Sequence, residues 1–148
     1  MIATEQFAQV FTAIPFNRIL GLKLDSIEKD HILLHFDMRD ELVGNFLHGI
    51  LHGGVISSVL DMAGGAAAMI AHAQKHPTHD LLQLAEQLGK AGTINLHVDY
   101  LRPGKGKRFT AKAWILRSGN KITVSRMELV NDESVLIASA SGTYLVGS

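Results

Sequence analysis

The sequence predicts an α+β protein in which a curved antiparallel sheet wraps around one long central helix, and three observations carry that prediction. Residues 51–71 form an apolar run of helical length. From Gly92 onward the apolar residues recur with a period of two, through four segments joined by short turns. Two more segments of strand character precede the helix. A helix that is apolar around most of its circumference has to be enclosed, and a sheet curved around it does so economically.

Taken in order, Phe7, Val10, Phe11 and Ile14 recur at helical spacing, and Pro15 ends that helix by disfavouring helical geometry in its predecessor. Leu22, Leu24 and Ile27 suggest a first strand and Ile32, Leu33, Leu34 and Phe36 a second, with Lys29-Asp30 as the turn between them. His31 and His35 read as solvent-facing strand positions. Residues 39–50 form a polar, glycine-containing connection into the central helix, and such loops often hold ligands. His76-Pro77 breaks the helical run. Leu81, Leu82, Leu84, Ala85 and Leu88 then make a short amphipathic helix up to Gly89, suited to surface packing, a lid or an oligomer contact. Ile94, Leu96, Val98 and Tyr100 alternate with polar residues, the basic segment 102–108 turns the chain, and strands follow over 109–117, 122–131 and 134–146.

Composition narrows the function classes. The 148 residues read as one domain, 1–148, with enough chain for a proper core. Lys plus Arg equals Asp plus Glu at 14 each, so no overall field favours nucleic acid or an anionic membrane. Without cysteine there is neither a disulfide framework nor a cysteine nucleophile. The N-terminus lacks the basic start of a secretion signal, and the longest run without a polar or charged residue, Met62 to Ala71, is about half a bilayer span and holds two glycines, so a cytoplasmic protein without a membrane partner is expected. His72 and His76 stand at the i, i+4 spacing of two zinc ligands, with His79 close by. Pro77 ends the helix there and no acidic third ligand shares the face, so no metal is expected.

The anomaly is Asp61. A carboxylate among aliphatic and small residues loses hydration on folding, so it is either paired, for instance to an arginine, or functional. Its helix face carries Ser57, Ser58, Gly64, Gly65 and Ala68, a strip small enough for another backbone or a ligand to approach. His52 lies about two and a half turns earlier, on the opposite side and roughly 13 Å away along the axis. A dimer that sets the helix start of one subunit against the mid-helix of the other is the simplest way to bring the two to one substrate. His52-Gly53-Gly54 is either a plain loop-to-helix junction or an oxyanion hole, since the first helical turn has unpaired N–H groups and glycine admits a carbonyl oxygen. Arg102, Lys105, Lys107 and Arg108 form either a solvated turn or a phosphate contact, with Gly104 and Gly106 permitting close approach.

Pro15-Phe16-Asn17-Arg18 with Leu20-Gly21, Leu51-His52-Gly53-Gly54 followed by Asp61, and Thr93 ahead of Asp99-Tyr100-Leu101-Arg102-Pro103-Gly104 together resemble the hotdog-fold acyl-CoA thioesterases of the phenylacetyl-CoA thioesterase type. The likeness covers nearly the whole chain and is greatest to bacterial medium- and long-chain acyl-CoA thioesterases. It implies the hotdog fold, a homodimer with an inter-subunit sheet, commonly a tetramer, and composite active sites. It also implies Asp61 as general base or nucleophile, the Gly53 amide polarising the thioester carbonyl, His52 helping to hold the thioester, and Thr93 orienting the water or the aspartate. Gly54, Arg102, Gly104, Lys105 and Lys107 would bind substrate, whose coenzyme A makes a separate cofactor unnecessary. The family's asparagine six positions before the histidine falls on Phe46, so Asn45 takes that role only if the loop carries an extra residue. Thr93 lies on the polar side by strict alternation and needs a bend or bulge at the strand start to reach Asp61. A non-catalytic acyl-CoA sensor and a hotdog dehydratase or hydratase are the alternative activities.

Overall fold

A computed structural model describes residues 4–78 and 80–147. Two short helices open the chain, α1 (Thr4–Ala13) and α2 (Pro15–Leu20). Pro15 does more than end α1: Ile14 is extended, and the proline, whose missing N–H costs nothing at a helix start, begins α2 at once. That second helix was not expected from the periodicity, which six residues are too few to display. Asn17 is fully buried and ties the pair together by donating from Nδ2 to the Phe11 carbonyl at 2.9 Å.

The strands are β1 (Lys23–Ile27), β2 (Ile32–Asp37), a small ribbon of β3 (Val43–Asn45) and β4 (Ile50–Leu51), then β5 (Gly92–Tyr100), β6 (Arg108–Ser118), β7 (Ile122–Asn131) and β8 (Leu136–Leu145). The long helix α3 (Gly53–Lys75) and the short α4 (Leu81–Gly89) separate β4 from β5. The main sheet has six strands in the order β1-β2-β6-β7-β8-β5, with every neighbouring pair antiparallel. The last strand begins at Leu136 rather than 134, because Asn131 Oδ1 accepts the N–H groups of Glu133 and Val135 and holds the turn. The β3–β4 ribbon, expected as irregular connection, is too short for any period to reveal.

The inward face of the sheet closes on α3. Leu34, Phe36, Phe109, Met127 and Leu129 are fully buried against the side carrying Val59, Leu60 and Ala63. The aromatic pair Phe36–Phe109 stacks at 5.2 Å between ring centroids across β2 and β6. By length and composition alone α3 could cross a bilayer, yet 56% of its most apolar stretch is buried inside the fold. It is a core helix. At the β5 end of the sheet order, β5 has no neighbour on its outer edge among the described residues, and Ile94 and Tyr100 are about half exposed along it.

Candidate active site

Asp61 sits in the third turn of α3, half-buried, and its partner is a hydroxyl rather than an arginine. Thr93 Oγ1 donates to Asp61 Oδ1 at 2.9 Å, and among the described residues Asp61 forms no ion pair. Thr93 reaches the carboxylate through a bulge. The β5–β8 register runs Thr93↔Tyr144 and then Asn95↔Thr143, so Ile94 is the extra residue and the alternation reverses around it. Ile94 is consequently turned outward, while Leu96 and Val98 pack on the core. One oxygen of Asp61 is thereby held, and among the described residues the other has no hydrogen-bond partner. The carboxylate opens into a cavity of about 350 Å³, walled by Phe11 of α1, Ile14 at the α1–α2 junction, Gly65 and Met69 of α3, and Leu88 of α4. This is a pocket of ligand size with an acid at one end. The short α4 is therefore more than surface packing.

The second centre is the start of α3. His52 is the N-cap: its Nδ1 accepts the Gly54 N–H at 2.7 Å, which fixes the imidazole with its proton on Nε2 and leaves that N–H free to donate. Gly54 is used up by this bond, and a Cβ there would lie 2.9 Å from Nδ1, so its part is to seat the histidine. Among the described residues no acceptor faces the Gly53 N–H, as expected of a first helical position. Tyr100 Oη donates to the Gly53 carbonyl at 3.2 Å, linking the far end of β5 to this corner. Gly44 had no assigned part, yet a Cβ on it would come within 2.5 Å of His52 Cα, so β3 lies directly on the cap. In a continuous helix the nine residues from His52 to Asp61 keep the two centres apart.

The Thioesterase superfamily matches this sequence over residues 48–138, the span that carries both centres. The chain belongs to that superfamily. It is 48% identical over 134 residues to the medium/long-chain acyl-CoA thioesterase YigI of Escherichia coli K12, covering 90% of this chain and 86% of the relative. A crystal structure of a Shewanella oneidensis protein related to the thioesterase superfamily superposes with a TM-score of 0.89 at 40% identity, covering 97% of this chain and 94% of that one. The thioesterase HI1161 of Haemophilus influenzae, at 18% identity and a TM-score of 0.78, shares the fold over 98% of this chain and 90% of its own. The hotdog architecture expected from the sequence is the one observed.

In this thioesterase-superfamily chain the basic segment 102–108 is fastened to the helix start, because the Leu51 N–H donates to the Gly104 carbonyl at 2.9 Å. The glycines of that segment have structural jobs. Gly104 is buried with Leu51 Cβ 2.8 Å from where its own Cβ would be, and a Cβ on Gly106 would meet Asp132 Oδ1. Neither offers open space to a phosphate, which corrects the reading of both as approach points. Arg108 is also engaged, its Nε donating to Asp37 Oδ1 at 2.7 Å, and that contact holds the Asp37 carboxyl below its ordinary pKa. Arg102 gives one N–H to the Leu136 carbonyl at 2.8 Å, while Lys105 and Lys107 are exposed and, among the described residues, form no ion pair. Asn45 is the exposed last residue of β3, with its Oδ1 accepting the Leu47 N–H at 3.1 Å, and among the described residues its side chain makes no hydrogen bond to His52 or Asp61. Among the described residues no group of three or more His, Asp or Glu side chains could hold a metal; His72 and His76 face each other at 4.6 Å between rings, and His79 lies outside those residues.

Proposed function

We propose that this chain hydrolyses medium- to long-chain acyl-CoA thioesters, with Asp61 as the catalytic carboxylate in a site completed by a second subunit in the cytoplasm. The observation that carries this reading is the Thr93-bound Asp61 carboxylate at the end of an apolar cavity. The acyl chain fills the cavity and brings the thioester carbonyl to Asp61. The free oxygen of Asp61 either takes the proton of an attacking water or itself attacks the carbonyl carbon. The negative charge developing on the carbonyl oxygen is met by the Gly53 N–H and the His52 Nε2–H. Where water attacks, the tetrahedral carbon expels the coenzyme A sulfur, which recovers the proton from Asp61, leaving free acid and thiol. Where Asp61 attacks, loss of the thiolate leaves an acyl–Asp61 anhydride, which water then cleaves to free acid and the Asp61 carboxylate while a proton of that water goes to the thiolate.

The shared site follows from where β5 begins and ends. Its start carries Thr93 beside Asp61, its end carries Tyr100 beside Gly53, and its outer edge is unpaired. Antiparallel pairing of two such edges about a two-fold axis sets the start of one strand beside the end of the other. Asp61 of one subunit then meets the partner subunit's Gly53 and His52, which one regular helix cannot achieve. Exposed apolar side chains at Ile94, Tyr100, Phe46 and Leu47 favour such a contact. Arg102, Lys105 and Lys107, tied to the helix start through Gly104, are set to meet the coenzyme A phosphates. A sensor that only binds acyl-CoA has no use for a carboxylate in the apolar cavity.

Asp61→Asn tests the reading. The protein should remain folded and lose at least ~100-fold in thiol release, the effect of removing a base or nucleophile. Near-normal release by the folded variant refutes the role of Asp61.

A further inference from the structure

The strip of small residues beside Asp61 is occupied, and its occupant belongs to the same chain. Tyr144, on the inward face of β8, is 3% exposed and points its hydroxyl into a notch cut by Gly64 and Gly142: a Cβ on either glycine would lie 2.4 Å from Oη. Its ring also covers Gly65, where a Cβ would meet Cε1 at 3.5 Å. From this notch Oη donates to the Asp61 main-chain carbonyl at 3.2 Å. One turn further along, buried Ser125 Oγ donates to the Gly64 carbonyl at 2.9 Å. Two sheet hydroxyls thus grip α3 at carbonyls three residues apart.

Tyr144 is also the cross-strand partner of Thr93. One strand pair therefore holds Asp61 from both sides, Thr93 through its carboxylate and Tyr144 through its backbone. Burial first, and the Asp61 charge second, push the phenol well above its ordinary pKa, so it remains a donor throughout the working range.

We infer that Tyr144 is a positioning residue for the hydrolysis, fixing the Asp61 turn of α3 against β5 and β8 so that the carboxylate meets Thr93 and the thioester together. The inference rests on the reading of Asp61 as the catalytic carboxylate. It distinguishes two parts of one side chain: the ring walls the acyl cavity, and the hydroxyl sets the acid.

Tyr144→Phe keeps the ring and removes the hydroxyl. With KM and the order of preferred chain lengths unchanged, kcat should fall about 3- to 10-fold, the worth of one neutral hydrogen bond expressed in the transition state. Because both residues position one group, the loss should shrink or vanish when Tyr144→Phe is made in a Thr93→Val background. Gly64→Ala, whose Cβ crowds Oη and the Met127 thioether while residue 144 stays tyrosine, should reproduce the kcat loss; melting of each variant establishes that it is folded. An unchanged kcat in Tyr144→Phe, a change confined to KM, or losses that multiply fully with Thr93→Val overturns the inference. Failure of the underlying reading is distinguishable, since Asp61→Asn would then remain active.

Discussion

Gly65→Leu separates the acyl cavity from the rest of the surface. Gly65 stands one turn beyond Asp61, about 6 Å along α3, and Met69 marks the end of the cavity's helical wall another turn on. A Cβ on Gly65 meets nothing closer than Tyr144 Cε1 at 3.5 Å, ordinary contact, so the backbone accepts a side chain. Replacing glycine inside a helix also favours folding by up to ~1 kcal/mol, so the variant should melt no lower than wild type. Its isobutyl group, however, occupies the cavity half-way along. At about 1.2 Å per bond of extended chain, the blocked 6 Å takes up to about five methylenes. Each is worth ~0.8 kcal/mol on burial, about fourfold, so displacing only three costs ~2.4 kcal/mol and roughly 60-fold in kcat/KM. Thiol release should be followed over acyl-CoA substrates of increasing length. The expected result is unchanged kcat/KM on the shortest acyl groups and a progressive loss on longer ones. A folded variant with an unaltered chain-length profile would show that the acyl group does not lie in this cavity.

Two other outcomes follow from the surroundings of the site. Neutralising Arg102, Lys105 and Lys107 together should raise KM for acyl-CoA with kcat little changed, because contacts remote from the carbonyl bind substrate and transition state alike; an unchanged KM returns this segment to a solvated turn. At the far end of α3, burial is the main cause holding His72 below its ordinary pKa, followed by the charges of His76 and Lys75. The native state then binds fewer protons than the unfolded one, so stability declines as the pH drops below about 6.5 and continues to decline until native His72 itself titrates. His72→Gln should therefore melt with a smaller loss between about pH 7.5 and 5.5 than wild type, and an equal loss contradicts the assignment.

The fold was legible because its strongest features are periodic. The apolar run of α3 and the period-two segments from β5 to β8 each exceed the length at which helix and strand patterns separate. The three-residue β3, the two-residue β4 and the six-residue α2 do not, and the pattern missed all three. In the site, Asp61 and His52 stood out as polar residues in apolar or glycine-rich surroundings, and the mismatch of Thr93 with its strand signalled the Ile94 bulge. Tyr144 and Gly44 gave no such signal. Each acts through one close tertiary approach, Oη to the Asp61 carbonyl and the Gly44 backbone to His52, and sequence spacing does not report such approaches. Gly104 misled for the same reason, since a glycine that admits Leu51 looks in sequence like one that admits a phosphate.

If each active site draws His52 from one subunit and Asp61 from the other, mixing two inactive variants should restore activity. Dimers of His52→Ala subunits lack the histidine at both sites, and dimers of Asp61→Asn subunits lack the carboxylate at both. A mixed dimer has one site with both defects and one wholly wild-type site. Random exchange makes about half of the dimers mixed, with half of their sites intact, so two nearly inactive proteins should recover to roughly a quarter of wild-type thiol release. Heterodimers verified by mass that remain as inactive as their parents would contradict the shared site and require both residues to act within a single chain.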